Sequence, residues 1–395
     1  MVRSWIGKTC SFRQSRGHGD LPGMLTSQRH YGMDLVRGLA ISTVLAGHGL
    51  VFFYAYINVT PVIFPPVFAV EVFFQLSGFL IGRILLEMGD RGLSLSSVRV
   101  FWLKRWFRTI PAYLFVVIAT IILTGDFNWS QWVFLQNYFP EQMDNFPVSW
   151  SLTIEEWFYL LFPLTMLLLS QLSFLRKRPA QIVVWTALIM IALPWVGRYL
   201  AASGESVMWD LGIRKQIPLR LDAIAYGVLL SIWHYRRPGD LLKVHVNRIL
   251  GVLALTGFLF CWWYFNTHID IFSTRADVAN SAFLYPLISM VCLTVIAYSV
   301  RFSGSKGGWF PRFITQVSLT SYSLYLVHLQ IFSWLAKQVD SVLSAWLWFG
   351  VALLVLAVAG GALYRWVEKP FMRLRSRFDP KDSVSPHLRG ATTKT

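Results

Sequence analysis

The chain has 395 residues, of which 55% are apolar and only 14% charged; a soluble protein of this length carries about a quarter charged residues. Long apolar runs recur along it, which excludes an ordinary soluble domain and predicts an all-α, polytopic integral membrane protein. The net charge of +16 does not call for nucleic acid, because basic residues collect in the cytoplasmic loops of membrane proteins.

In chain order, residues 1–33 are basic and lack the apolar core of a signal peptide, so they read as a cytoplasmic tail. About ten transmembrane helices follow, near 34–56, 67–88, 106–124, 151–172, 181–200, 219–235, 249–265, 281–300, 313–334 and 346–367. The sixth and seventh are short for a hydrocarbon core that needs about 20 helical residues. Residues 34–375 form the transmembrane domain, and 376–395 a second cytoplasmic tail. With both termini inside, only Arg198, Arg214, Lys215, Arg220, Arg275 and Lys337 of the 36 Lys and Arg residues fall away from the cytoplasmic side, as the positive-inside rule requires. The outer connection 125–150 has no Lys or Arg and many aromatics, and no appended soluble domain is expected.

Ionisable residues at membrane depth are costly and each needs a partner or a job. Arg37 and His48 in "MDLVRGLAISTVLAGH" lie about three turns apart on one face, with a rise of roughly 16 Å. That face has an anion-binding mouth and a titratable group well inside, with Ala40, Ala46, Gly47 and Gly49 nearby to leave room for a ligand. In the second span Glu71 lies near the outer end, and Ser77-Gly78 interrupts an apolar run where a ligand or backbone approaches closely. "KRWFRTIPAY" places Arg105 and Arg108 on one helical face, suited to phosphate oxygens. Glu155 and Glu156 are adjacent in "WSLTIEEWFY", about 100° apart on a helix, so only one faces a given cavity. Arg220 and Asp222 are not spaced to pair with each other, and Ser321 and His328 share a face of the ninth span. Cys10, Cys261 and Cys292 lack metal or disulfide spacing, and the eight histidines form no metal cluster, so no metal site is expected.

Together these stretches resemble the membrane acyltransferase-3 family of O-antigen and exopolysaccharide O-acetylases. The resemblance rests on seven boxes in order over residues 33–375. They are Arg37 with His48; Phe73 to Ile81 as "FFQLSGFLI"; Arg105 and Arg108 followed by Pro111 and Tyr113; Trp150 to Tyr159; Arg220, Asp222 and Gly227; Ser321 to His328; and Glu368 with Pro370. Trp157 departs from the pattern, where Gln is commoner.

The resemblance implies acyl-CoA-dependent O-acylation at a bacterial inner membrane, with acetyl-CoA as co-substrate and no resident cofactor. The expected acceptor is a hydroxyl of a surface or exported glycan or lipid-linked glycan. On that basis Arg37, Arg105, Arg108, Ser77 and Gly78 bind acyl-CoA, and the thioester arrives near His48. His48 acts as general base, its ordinary pKa near 6.5 suiting the task, and Glu155, Glu156 or Glu71 orients it. Trp150, Tyr159, Arg220 and Asp222 are the acceptor-side candidates, with Ser77 or Tyr159 able to steady an oxyanion. His328 is expected to be structural. An acyl-histidine intermediate is the alternative chemistry, and a small metabolite or antibiotic the alternative acceptor. A proton-coupled transporter is the rival class. It would show repeat symmetry and matched broken helices, and neither is visible.

Overall fold

The computed structural model describes residues 30–378 apart from 57–62, 140–145, 177, 205–206, 238, 271–275, 303 and 305–306. The two expected tails lie almost wholly outside the described residues. Among the described residues, ten helices of 15 or more residues follow one another. They are α1 (Tyr31–Gly49), α2 (Phe64–Asp90), α3 (Leu95–Thr124), α4 (Ser149–Ser170), α5 (Pro179–Ser203), α6 (Asp222–Arg236), α7 (Val244–His268), α8 (Val278–Ser299), α9 (Trp309–Ala336) and α10 (Val342–Leu363). Each expected span coincides with one of them, and no strand occurs among the described residues.

Local sequence accounts for the helix ends. Pro65 and Pro179 sit in first turns, where a missing N–H costs nothing. Ser94 with Ser97, and Ser341 with Ser344, form reciprocal capping boxes that open α3 and α10. Gly125, at φ 78°, closes α3 in the left-handed conformation that glycine adopts without strain.

Eight helices among the described residues are long and apolar enough to cross a membrane, so the protein is a multi-pass membrane protein. The two expected spans outside that set are instructive. The sixth span is α6, whose 15 residues fall short of the roughly 20 needed; α6 lies inside the bundle against α2. The ninth span is α9, long enough at 28 residues but studded with Ser318, Ser321, Ser323 and His328, all buried. Polar residues lower its hydropathy because it lines the interior. By contrast α10 shows Leu343, Leu347, Leu354 and Val358 outward, the surface a lipid-facing helix presents. The seventh span proves full length, 25 residues in α7.

The bundle is organised on close helix contacts. A Cβ added at Gly78 of α2 would fall 2.0 Å from the Ile224 carbonyl oxygen of α6, and one at Gly227 would fall 2.1 Å from the Gln75 carbonyl oxygen. The α2 and α6 backbones therefore touch, as small residues permit in membrane helices. Gly78, expected to take part in acyl-CoA binding, serves this contact and is not among the residues lining the two cavities described below. The glycines beside His48 are also filled: Gly47 abuts Pro66 and Gly49 abuts Phe349.

Candidate active site

Helices α1, α2, α3, α4 and α9 enclose a cavity lined by Arg37, Ser77, Arg105, Arg108, Glu155, Tyr159 and Tyr325, among others. Its volume is about 120 Å³. A second space of about 600 Å³ adjoins it at the Arg37 end and is lined by His30, Arg83, Arg108, His234, Glu368 and Arg375. Arg37, Leu80 and Arg108 line both. A basic vestibule thus leads past two arginines into a narrower chamber. The spacing read from sequence put Arg37 and the Arg105–Arg108 pair at adjacent helix mouths, and the fold brings all three to one chamber.

Arg37 is held by α9: its Nη1 donates to Ser318 Oγ at 3.3 Å, and Ser318 donates in turn to Asp34 at 2.9 Å. Arg105, 9% exposed, lies over the Phe101 and Tyr159 rings at 5.7 and 5.4 Å. In the chamber Ser77 Oγ donates to Glu155 Oε1 at 2.6 Å, and Tyr159 hydrogen-bonds to both Glu155 and Ser77. Glu155 therefore gathers two hydroxyls on its chamber-facing oxygen. Glu156 points elsewhere, accepting from Thr109 at 2.5 Å. The 100° offset resolves as the helix geometry demands.

Tyr325 also lines the chamber, and its hydroxyl meets Ser151 Oγ at 2.8 Å. Among the described residues His48 does not line it. The Tyr325 ring stands 5.5 Å from the His328 ring. His48 Nδ1 meets His328 Nε2 at 2.9 Å, with the rings stacked 5.0 Å apart. His328 Nδ1 in turn meets the Tyr325 carbonyl at 2.7 Å.

Among the described residues no carboxylate bonds to His48, so Glu71, Glu155 and Glu156, the expected orienting candidates, are not in contact with it here. Glu71 is consumed in an ion pair with Arg220, 2.5 Å between Oε1 and Nη2, and both are at most 1% exposed. Asp222 pairs with Arg198 at 2.8 Å in the same buried layer. Arg220 and Asp222, the acceptor-side candidates, are thus internal charge pairs locking α2, α5 and α6. Trp150 is also unavailable as an open stacking platform, since it is buried and Arg214 covers its ring at 4.4 Å. Tyr159 lines the Arg105 chamber, and neither histidine does. His328, expected to be structural, is brought by the fold to within hydrogen-bond distance of His48. The available signal was an ionisable group on the buried serine face of α9.

Four of the six basic residues that broke the charge asymmetry are explained by pairing. Arg198 and Arg220 sit in the buried pairs, while Arg214 and Lys215 both hold Asp210, at 2.5 and 2.6 Å. Burial alone would raise the Asp210 carboxyl, but these two cations outweigh it and hold it below its ordinary 3.8.

Comparison with known proteins now decides the family. A family model described as an acyltransferase domain matches residues 30–366. The chain belongs to the acyltransferase-3 family. A Staphylococcus aureus (strain COL) protein described provisionally as an O-acetyltransferase is 26% identical over 337 residues, covering 77% of this chain and 52% of the relative. O-acetyltransferase OatA of Staphylococcus aureus (strain NCTC 8325 / PS 47) is 26% identical over 338 residues, with the same coverage. The chain thus spans about half the length of these relatives. No solved structure matches.

Proposed function

We propose that the chain transfers an acyl group, in the first place acetyl, from cytoplasmic acyl-CoA to a hydroxyl of a surface or exported glycan. The setting is a bacterial inner membrane with both termini in the cytoplasm. The observation that carries this reading is the joined pair of cavities, which lead from a basic vestibule past Arg37 and Arg108 to Tyr325, whose ring packs on the His328–His48 pair. A long donor with charge at one end and a reactive thioester at the other fits that path. Phosphates rest among Arg37, Arg105 and Arg108, where charge-assisted bonds are strong. The thin arm passes the Glu155–Ser77–Tyr159 cluster, which offers hydrogen bonds to its amides.

His48 is the general base. It takes the proton of the acceptor hydroxyl while that oxygen bonds to the thioester carbonyl carbon. The carbon–sulfur bond then breaks, and the imidazolium returns the proton to the leaving thiolate. Donor and base meet when the Tyr325–Ser151 contact opens. The relatives' O-acetyltransferase names support acetyl as the group. Comparing the host's surface polysaccharide with and without the gene, by NMR for O-acetyl signals, tests the acceptor class. Complementation with wild type restores the signals and His48→Ala does not; restoration by His48→Ala overturns the assignment of the base.

A further inference from the structure

We infer that His328 is the positioning residue of His48: it fixes the tautomer that leaves His48 Nε2 unprotonated. This rests on the reading of His48 as base, but its geometric core stands apart from the donor's identity. A backbone carbonyl only accepts, so the His328 nitrogen facing the Tyr325 carbonyl at 2.7 Å carries a proton. His328 is fully buried, and neither ring has a carboxylate partner among the described residues. A cation there would be desolvated without a bonded counter-charge, which is costly, so the His328 ring is neutral and its Nε2 is a lone pair. The contact at 2.9 Å then has one polarity: His48 Nδ1–H donates to His328 Nε2. A neutral His48 with its proton on Nδ1 keeps Nε2 as a lone pair.

The chain of bonds runs Tyr325 carbonyl, His328, His48, and every proton in it is assigned by its first member. This arrangement replaces the carboxylate that often orients a catalytic histidine. It places the tautomer control on α9, the helix whose Tyr325 also lines the chamber.

The test is 15N NMR of the full chain, labelled at histidine and held in detergent micelles, with His48 assigned by loss of its signals in His48→Gln. The expected result is a His48 ring protonated at Nδ1 and bare at Nε2. His328→Phe keeps an aromatic ring but no acceptor, and the fixed tautomer should be lost. His328→Gln puts an amide oxygen near the Nε2 position and should retain it. Acetyl-CoA turnover should fall on the order of 100-fold in His328→Phe, within the range a general base contributes, and recover about tenfold in His328→Gln, with acetyl-CoA affinity unchanged in both. A wild-type His48 protonated at Nε2 would overturn the proposal, as would Phe and Gln variants with the same tautomer. Failure of acetyl-CoA to bind wild type would instead sink the donor reading, and the tautomer measurement would still decide this one.

Discussion

Arg220→Met separates a structural charge pair from an acceptor site. Arg220 is completely buried and its Nη2 lies 2.5 Å from Glu71 Oε1, itself 1% exposed; its guanidinium also stacks 3.9 Å from the Tyr285 ring centroid. Removing one partner leaves a carboxylate buried without its counter-charge, at a cost of about 3–5 kcal/mol. The folded-to-unfolded ratio should fall by roughly 10²- to 10⁴-fold, and Glu71→Leu should cost a similar amount. The double variant Arg220→Met with Glu71→Leu fills the space with apolar side chains and should recover most of the loss, since replacing a buried pair whole is often neutral. Thermal unfolding in detergent, followed by tryptophan fluorescence, reads all three against wild type. Single variants with wild-type stability but no transfer, unrelieved in the double variant, would refute the ion-pair account and restore Arg220 to the acceptor site.

Gly78→Ala and Gly227→Ala should each force α2 and α6 apart and cost about 1–3 kcal/mol or more, seen as loss of monodisperse protein on size-exclusion chromatography; unchanged elution and melting would show that the two backbones do not touch. Glu155→Gln should depress acetyl-CoA turnover with stability kept, whereas Glu156→Gln should leave donor binding untouched; equal effects on turnover would contradict the chamber-facing assignment. Asp210 is held below its ordinary carboxylate range by Arg214 and Lys215 against the opposing effect of burial, so its contribution to stability is present above the unfolded value and lost as pH falls through the folded one. Melting temperature should therefore drop more steeply below about pH 4 in wild type than in Asp210→Asn, and parallel profiles would dismiss the pairing.

The sequence carried the elements whose logic is local. Arg37 and His48 share a face because eleven residues close about three turns, and Arg105 with Arg108 enter one chamber because they are three apart. Adjacency alone settled that only one of Glu155 and Glu156 would face it. What was illegible is pairing across the chain. His48 and His328 are 280 residues apart, and Glu71 and Arg220 are 149 apart. No periodicity announces either meeting, and a buried acid reads equally as a catalyst or as half of an ion pair. Gly78 illustrates the same ambiguity, since a missing Cβ admits a ligand or a neighbouring helix and only the fold tells which. The polarity of α9 was visible, but that it marked an interior wall was not.

The central claim is a donor path that begins at three arginines, and titration of acetyl-CoA against purified, well-folded Arg105→Ala protein tests it most directly. A charge-assisted bond to phosphate is worth roughly 1.5–3 kcal/mol, so the dissociation constant should rise about 10- to 150-fold. Arg105→Lys should recover only part of that, because an ammonium cannot hold phosphate oxygens in pairs. An unchanged dissociation constant in folded Arg105→Ala protein would contradict the account and remove the reason for placing the donor's phosphates in this chamber.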